Sequence, residues 1–265
     1  MAVPELEAVL VGLEAGVATI TLNQPAKRNP LSGAMTRDLL ASLAWARDEA
    51  AARVVVLTGA GDRAFCAGAD LGSSFDSTDS EIERHHQRKG IGLLFSSLRD
   101  LGKPVLGRIN GHALAGGFGL ACACDLLLAV ESAQFGTPEI NVGVWPMMIS
   151  AVLARNLPRK VVLEMMLLGD RWSAVQMKDA GLVSRVATDL DELDRLTAEM
   201  AAALAKKSPA IVRLGRDAFY RSEDMSLDEA LAYLHSQLTL VTLSEDTKEG
   251  IRAFFEKREP DFKGR

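Results

Sequence analysis

Glu139 and two stretches of uncovered backbone are the parts of this chain whose residue types and spacing suit chemistry. The first stretch, Gly116-Gly117-Phe118-Gly119, lies inside a small-residue run from Asn110 to Glu139. Paired Gly where a helix begins leave backbone N–H groups with no Cβ in front of them. Such N–H groups, at the positive end of a helix, suit an oxygen that gains negative charge. The second stretch is Phe65-Cys-Ala-Gly-Ala-Asp-Leu71, small residues directly after a strand. The Ala69 N–H is a candidate donor there. Paired with a donor near Gly116, it makes a two-amide pocket for an enolate or thioester oxygen. Glu139 closes the first run and can fold back beside the amides as a general acid/base. Its sequence neighbours Val142, Val144, Trp145, Met147 and Met148 predict an apolar pocket and a raised carboxyl pKa. A rival reading fits the same residues: a glycine-lubricated packing contact beside a surface Glu. For Asp70 the rival is a cap on the next turn.

Other motifs point nowhere further. Thr58-Gly-Ala-Gly-Asp-Arg-Ala64 has the spacing of a dinucleotide turn, but Asp62 would set a negative charge beside a pyrophosphate, and Gly68 interrupts the segment where a helix should run. No phosphate-binding GxxxxGK[ST] run and no GxSxG elbow occurs. His85 and His86 are adjacent, so they point to different helix faces, poor for chelation. His112 sits in a turn, where a local hydrogen bond is expected, and His235 shares a helix with Leu residues. Cys122 and Cys124 are too close for common zinc spacing and no His pair complements them, so no metal is expected. Three Cys without a disulfide pattern (Cys66 is the other) fit a reducing, cytoplasmic compartment. A net charge of −5 with no basic block argues against nucleic acid. The N-terminus has no basic region of a signal peptide, and no apolar run reaches the roughly 18 residues of a membrane span. With 265 residues, 48% of them apolar, the chain can bury a full core without staples.

The elements that must hold these residues are read from periodicity. Residues 6–12 and 16–22 predict two strands around Glu14-Ala-Gly16, a hairpin signal. Ser32 predicts a helix cap before Met35, Leu39 and Leu43, spaced four apart. Residues 54–57 and 104–109 predict buried strands, and 78–100 a helix between them. Gly116–Gly119 predicts a turn, residues 120–124 a short helix and 125–130 another strand. This loose ββα recurrence predicts stacked sheets rather than a doubly wound one. Beyond Pro146, residues 146–155, 158–168, 173–180, 188–207, 209–220 and 226–258 all predict helices, with 182–186 a short extended link. In the last, Leu227, Leu231, Leu234 and Leu238 share a face that covers the core or docks on a neighbour.

Taken together and in order, Lys27-Arg-Asn-Pro-Leu-Ser32, Ala64-Phe-Cys-Ala-Gly-Ala-Asp-Leu71, Asn110-Gly-His-Ala-Leu-Ala-Gly-Gly117, Cys124-Asp125, Phe135-Gly-Thr-Pro-Glu139 and Gly143 resemble the crotonase family, the enoyl-CoA hydratase/isomerase superfamily. The resemblance covers nearly the whole chain, including Phe254-Phe-Glu-Lys-Arg258 and Phe262-Lys263. It implies an α/β fold: a spiral of ββα units, residues 1–200, and after it a C-terminal helical region, residues 201–265, for trimerisation or as a lid. It implies acyl-CoA substrates with no separate cofactor, and a homotrimer or dimer of trimers. The thioester oxygen would sit between the N–H groups of Ala69 and Gly116. Lys27 and Arg28 would meet the CoA nucleotide, and Phe262 and Lys263 a neighbouring subunit's CoA. Ala67, Asp70, Leu71, Gly119 and Trp145 complete the expected binding set.

One departure bears on the reaction. Hydratases of that family carry two Glu that flank a water. Glu139 matches the second, and Gly119 stands where the first belongs. The further Asp of the family's dienoyl-CoA isomerases is here Met147. The expected activity is that of an enoyl-CoA hydratase/isomerase with Glu139 as its single acid/base. A strict isomerase, which needs one base, and a non-catalytic acyl-CoA-binding protein are the alternatives.

Overall fold

Ala15 and Gly16 both take positive φ, 48° and 84°, the backbone that lets a two-residue turn match the twist of the strands it joins. They close the hairpin of β1 (Val9–Glu14) and β2 (Val17–Leu22), which pair antiparallel. The structure, a computed structural model, describes residues 2–69 and 80–265. β1 begins at Val9 rather than residue 6, because the Ala8 amide is taken by the Asp38 carboxylate at 2.8 Å.

β2 continues into a parallel array. β3 (Val54–Gly59) pairs with β2, then β5 (Val105–Ile109), β7 (Leu126–Val130) and β10 (Arg185–Ala187) extend a sheet ordered β1-β2-β3-β5-β7-β10. β3 is buried at every position: Val54 to Leu57 form a continuous apolar run, and the Thr58 hydroxyl donates to the Arg108 carbonyl at 2.9 Å. A second sheet, ordered β4-β6-β8-β9, is built from β4 (Ala64–Cys66), β6 (His112–Leu114), β8 (Gln134–Gly136) and β9 (Arg171–Ser173). Each pass of the chain lays one strand in each sheet, β3 then β4, β5 then β6, β7 then β8. This is the expected stacked, spiralling α/β architecture.

Two buried asparagines fix the corner between the sheets. Asn110 accepts from the Gly59 amide at 3.0 Å and donates to the Gly61 carbonyl at 2.7 Å. Asn29 accepts from the Gln24 amide and donates to the carbonyls of Ala60 and Ala64. Such fully satisfied polar side chains specify one backbone path, here the path into the Ala67–Ala69 loop.

The helices are α1 (Gly33–Asp48), α2 (Glu81–Arg99), α3 (Gly116–Cys122), α4 (Met147–Asn156), α5 (Arg159–Leu168), α6 (Ala174–Asp179), α7 (Leu190–Ala205), α8 (Pro209–Ser222), α9 (Leu227–Leu243) and α10 (Glu245–Glu256). Ser32 caps α1 by accepting from the Met35 amide. The Gly-rich run is not a turn before a helix at 120–124; it is the first turn of α3 itself. The single helix expected over 226–258 is two, broken at Ser244, whose ψ of 151° is extended and whose hydroxyl caps α10. The link at 182–186 overlaps strand β10, and β9 precedes α6. The expected division at residues 200 and 201 falls inside α7, whose Ala201 is buried with Val54, Val56 and Leu106.

α8 is tied to the core by one arginine. Arg216 pairs with both oxygens of Asp125 at 3.0 and 2.9 Å and donates to the carbonyls of Leu98 and Arg99, each at 2.6 Å. Tyr220 donates to Asp125 at 2.5 Å and lies under the guanidinium. A cation on the last carbonyls of α2 also complements that helix's negative end.

Candidate active site

Strand β4 delivers Ala67, Gly68 and Ala69 to the edge of the second sheet. The neighbouring loop runs alongside: Ala67 N–H donates to the Arg28 carbonyl at 3.0 Å, Leu31 N–H to the Gly68 carbonyl at 2.8 Å, and Leu31 bridges Ala69. Strand β6 leads to Ala115, which has φ 50° and ψ −128°, a costly backbone for a residue with a Cβ. Its amide is held by the Gly136 carbonyl of β8 at 2.9 Å. α3 starts at the next residue. A Cβ built on Gly116 would lie 3.8 Å from the Ala69 nitrogen, so the structure brings the two expected donors to one corner. Among the described residues, neither the Ala69 nor the Gly116 amide donates to a backbone carbonyl.

Glu139 stands just past β8, in a single 3-10 turn, Pro138–Val142. Thr137, fully buried, anchors that turn by donating to the Met165 carbonyl of α5 at 2.8 Å. The Glu139 Oε2 atom is buried and has no hydrogen-bond partner. Burial pushes its carboxyl above the usual 4.5, against a smaller opposing hydrogen bond from its own backbone. The expected apolar lining is only partly there. Trp145 is half-buried against the core, while Val142, Val144, Met147 and Met148 are exposed.

Gly119 is buried in α3, where a Cβ would lie 2.5 Å from Ile149 Cγ2 and 2.8 Å from Phe95 Cζ. Neither Ile149 nor Phe95 was among the expected site residues; both sit on apolar helix faces that read as core. Lys27 and Arg28 are exposed, and Arg28, in the left-handed region at φ 64°, caps the turn Pro25–Lys27. Arg28 also lines a cavity of about 320 Å³ with Pro25, Ala26 and residues 60–64. Phe262 and Lys263 lie elsewhere, against α10. The Lys263 amide donates to the buried Asp246 carboxylate at 2.7 Å, as does Gly264 at 2.9 Å, and Lys263 Nζ pairs with Asp261. Asp70 and Leu71 lie outside the described residues.

His112 makes no local hydrogen bond through Nδ1, which is buried without a partner; burial first, then Arg171 and Arg28, holds its pKa down. Cys66, Cys122 and Cys124 are buried and free, and burial pushes the Cys66 thiol up to about 12. Among the described residues no cluster of His, Cys, Asp and Glu could hold a metal ion, and no helix is long and apolar enough to cross a membrane.

A two-sheet spiral of ββα units with a C-terminal set of helices is the crotonase fold. Residues 12–265 match the enoyl-CoA hydratase/isomerase family, and the chain belongs to that family of enzymes. It is 35% identical over 258 residues to the 2,3-dehydroadipyl-CoA hydratase of Escherichia coli (strain K12), covering 97% of this chain and 99% of that protein. It is 36% identical over 251 residues to the (E)-benzylidenesuccinyl-CoA hydratase of Thauera aromatica, covering 94% and 96%. Among solved structures, the enoyl-CoA hydratase of Bacillus anthracis superposes with a TM-score of 0.93 at 34% identity, covering 98% of this chain and 100% of that one.

Proposed function

We propose that this enzyme acts on acyl-CoA thioesters through an enolate, with hydratase/isomerase-type chemistry. The N–H groups of Ala69 and Gly116 hold the thioester oxygen as it gains charge. Glu139 is the single general acid/base. The observation that carries this reading is Glu139 Oε2: an unpartnered carboxylate oxygen, buried, with a raised pKa. A buried polar atom without a partner is costly and is kept where function needs it. Gly119 favours a second, narrower reading, a strict isomerase, because it removes the other acid of the two-acid arrangement.

Lys27 and Arg28 contact the CoA phosphates, and Ala67, Asp70, Leu71 and Trp145 border the bound ester. No cofactor beyond the CoA of the substrate is needed for proton transfer at an enolate. The protein works in the cytoplasm as a homotrimer or dimer of trimers. Its helical region, residues 201–265, supplies the contacts and brings Phe262 and Lys263 to a neighbour's CoA. Exposed Leu227, Leu231, Leu238 and Leu243 on α9 support such an interface.

Binding and turnover of a panel of 2-enoyl-CoA and 3-enoyl-CoA esters test the reading. Glu139→Gln should retain ester binding and lose turnover by about 10²–10⁴. Binding without turnover in the wild type points to the non-catalytic alternative, and no binding overturns the proposal.

A further inference from the structure

We propose that Asp246 is a positioning residue: it clasps the tail of residues 262–265 in a single register and so presents Phe262 and Lys263 to the nucleotide end of CoA. The inference rests on the proposed function and goes further by naming what orders that tail.

Residues 259–265 belong to no helix or strand, so their backbone groups must find partners elsewhere. Asp246, 1% exposed in the first turn of α10, supplies them. Its Oδ1 accepts from the Lys263 amide at 2.7 Å and its Oδ2 from the Gly264 amide at 2.9 Å. Its own amide donates to the Arg265 carbonyl at 2.9 Å, which satisfies one of the orphan donors of a helix start. Ser208, the cap of α8, donates its hydroxyl to the same Oδ2 at 2.5 Å. One carboxylate thus joins α8, α10 and the tail. Gly264 makes the turn possible: its φ is 79°, and a Cβ there would lie 3.0 Å from Pro209 Cγ, so a side chain would meet both a strained backbone and a neighbour.

A buried carboxylate is a costly fastener, because its lost hydration must be offset bond by bond. What it adds over apolar packing is register: a slip of one residue breaks both amide bonds, and a fully satisfied buried network specifies one arrangement. That register decides where the tail's side chains go. The Phe262 ring lies on α10, 3.4 Å from a Cβ built on Gly250. The Lys263 side chain is 58% exposed, and its ammonium pairs with Asp261, itself 73% exposed. An exposed pair of that kind holds weakly, so the ammonium is available to a phosphate. Groups ordered before binding do not have to be ordered by the ligand, and affinity gains by that difference.

The test compares two thioesters of one acyl group, the CoA ester and the N-acetylcysteamine ester, which lacks the nucleotide. In Asp246→Asn, with folding checked by thermal unfolding, KM for the CoA ester should rise about tenfold or more relative to KM for the short ester, because two side chains must then be ordered on binding. On the CoA ester kcat should fall much less than KM rises, since the nucleotide end does not react. Gly264→Val should give the same split by straining the tail while the carboxylate stays in place, and it carries the test where Asp246→Asn does not fold. An unchanged KM ratio in a folded variant overturns the inference and leaves the proposed function standing. A loss of kcat shared by both esters also overturns it, because Asp246 would then hold up the fold rather than the tail. A wild type that neither binds nor turns over CoA esters overturns the proposed function, and the inference with it.

Discussion

Gly68 and Ala115 pack so closely that a Cβ on Gly68 would lie 2.6 Å from the Ala115 Cβ and 3.1 Å from the Gly116 nitrogen. Gly68 also holds φ at +92°, where a side chain is strained whatever the space. This one contact sets the spacing of the Ala69 loop and the start of α3. Gly68→Ala should therefore lower unfolding stability by about 1–3 kcal/mol. It should also slow turnover by up to about 10²-fold, the effect of misplacing catalytic groups by about 1 Å. Denaturant titration and steady-state kinetics on one sample check both. An Ala variant with wild-type kcat would show that the spacing of the two amides does not matter.

Ala69→Pro removes the N–H without altering any neighbouring side chain. The Leu31 amide bonds to the Gly68 carbonyl, so that bond does not use the Ala69 N–H. Loss of one donor to a developing oxyanion costs about 10²–10³ in kcat, with KM changed much less. Full activity in a folded variant would eliminate Ala69 as a donor.

Much of this arrangement was legible in the sequence, and the reasons it stopped being so are physical. The Ala15-Gly16 hairpin, the Ser32 cap and the apolar run Val54 to Leu57 that opens β3 are written in local residue types. Ala69, Gly116 and Glu139 were singled out because bare backbone and a carboxylate have a chemical signature; the structure sets the first two at one corner and buries one oxygen of the third. The strands β4, β6, β8 and β9 span three residues each, too short for a period of two to show. The break at Ser244 did carry a signal, a polar run from Ser244 to Gly250 that opens on a capping Ser followed by two acids, and one extended ψ there ends the helix. The filling of the Gly119 site was invisible for another reason. Phe95 and Ile149 belong to different helices, and which side chain meets a glycine is decided by packing rather than by spacing.

Arg216 should prove to be a stability residue and not a catalytic one. Its side chain is 8% exposed and pairs with Asp125, itself 18% exposed. Removing one partner of a buried pair leaves the other charge uncompensated, at a cost of about 3–5 kcal/mol. Arg216→Met should lose stability on that scale, and the folded fraction should keep wild-type kcat and KM. A change in kcat of the folded fraction would mean that α8 reaches the site.

The exposed leucines of α9 should report assembly. Leu231→Glu/Leu238→Glu puts charge into a face that the proposed trimer buries. Sedimentation should then shift from an oligomer toward monomer. KM for CoA esters should rise more than kcat falls, because Lys263 would no longer reach a neighbour's ligand. A wild type that sediments as a monomer at all concentrations would remove the interface.

The pH dependence of Glu139 ties its environment to its task. Burial raises its carboxyl above 4.5, so the folded state binds the proton more tightly than the unfolded chain does. Linkage sets the sign: stability is greatest below the unfolded value and is lost as pH rises through the folded one. Glu139→Gln carries no such charge. Relative to wild type, the Gln variant should gain stability as pH rises from the ordinary carboxylate range through the raised value of folded Glu139. In the proposed reaction, activity runs the opposite way, because the carboxylate would have to be ionised to accept a proton from C2. kcat/KM should climb with pH through an inflection above 4.5 and level off. In the Gln variant the residual rate should lack that inflection. An inflection at or below 4.5 would mean that substrate-free Glu139 is as well solvated as a surface carboxylate. A persisting inflection in the variant would assign the titration to another group, and with it the role of acid/base.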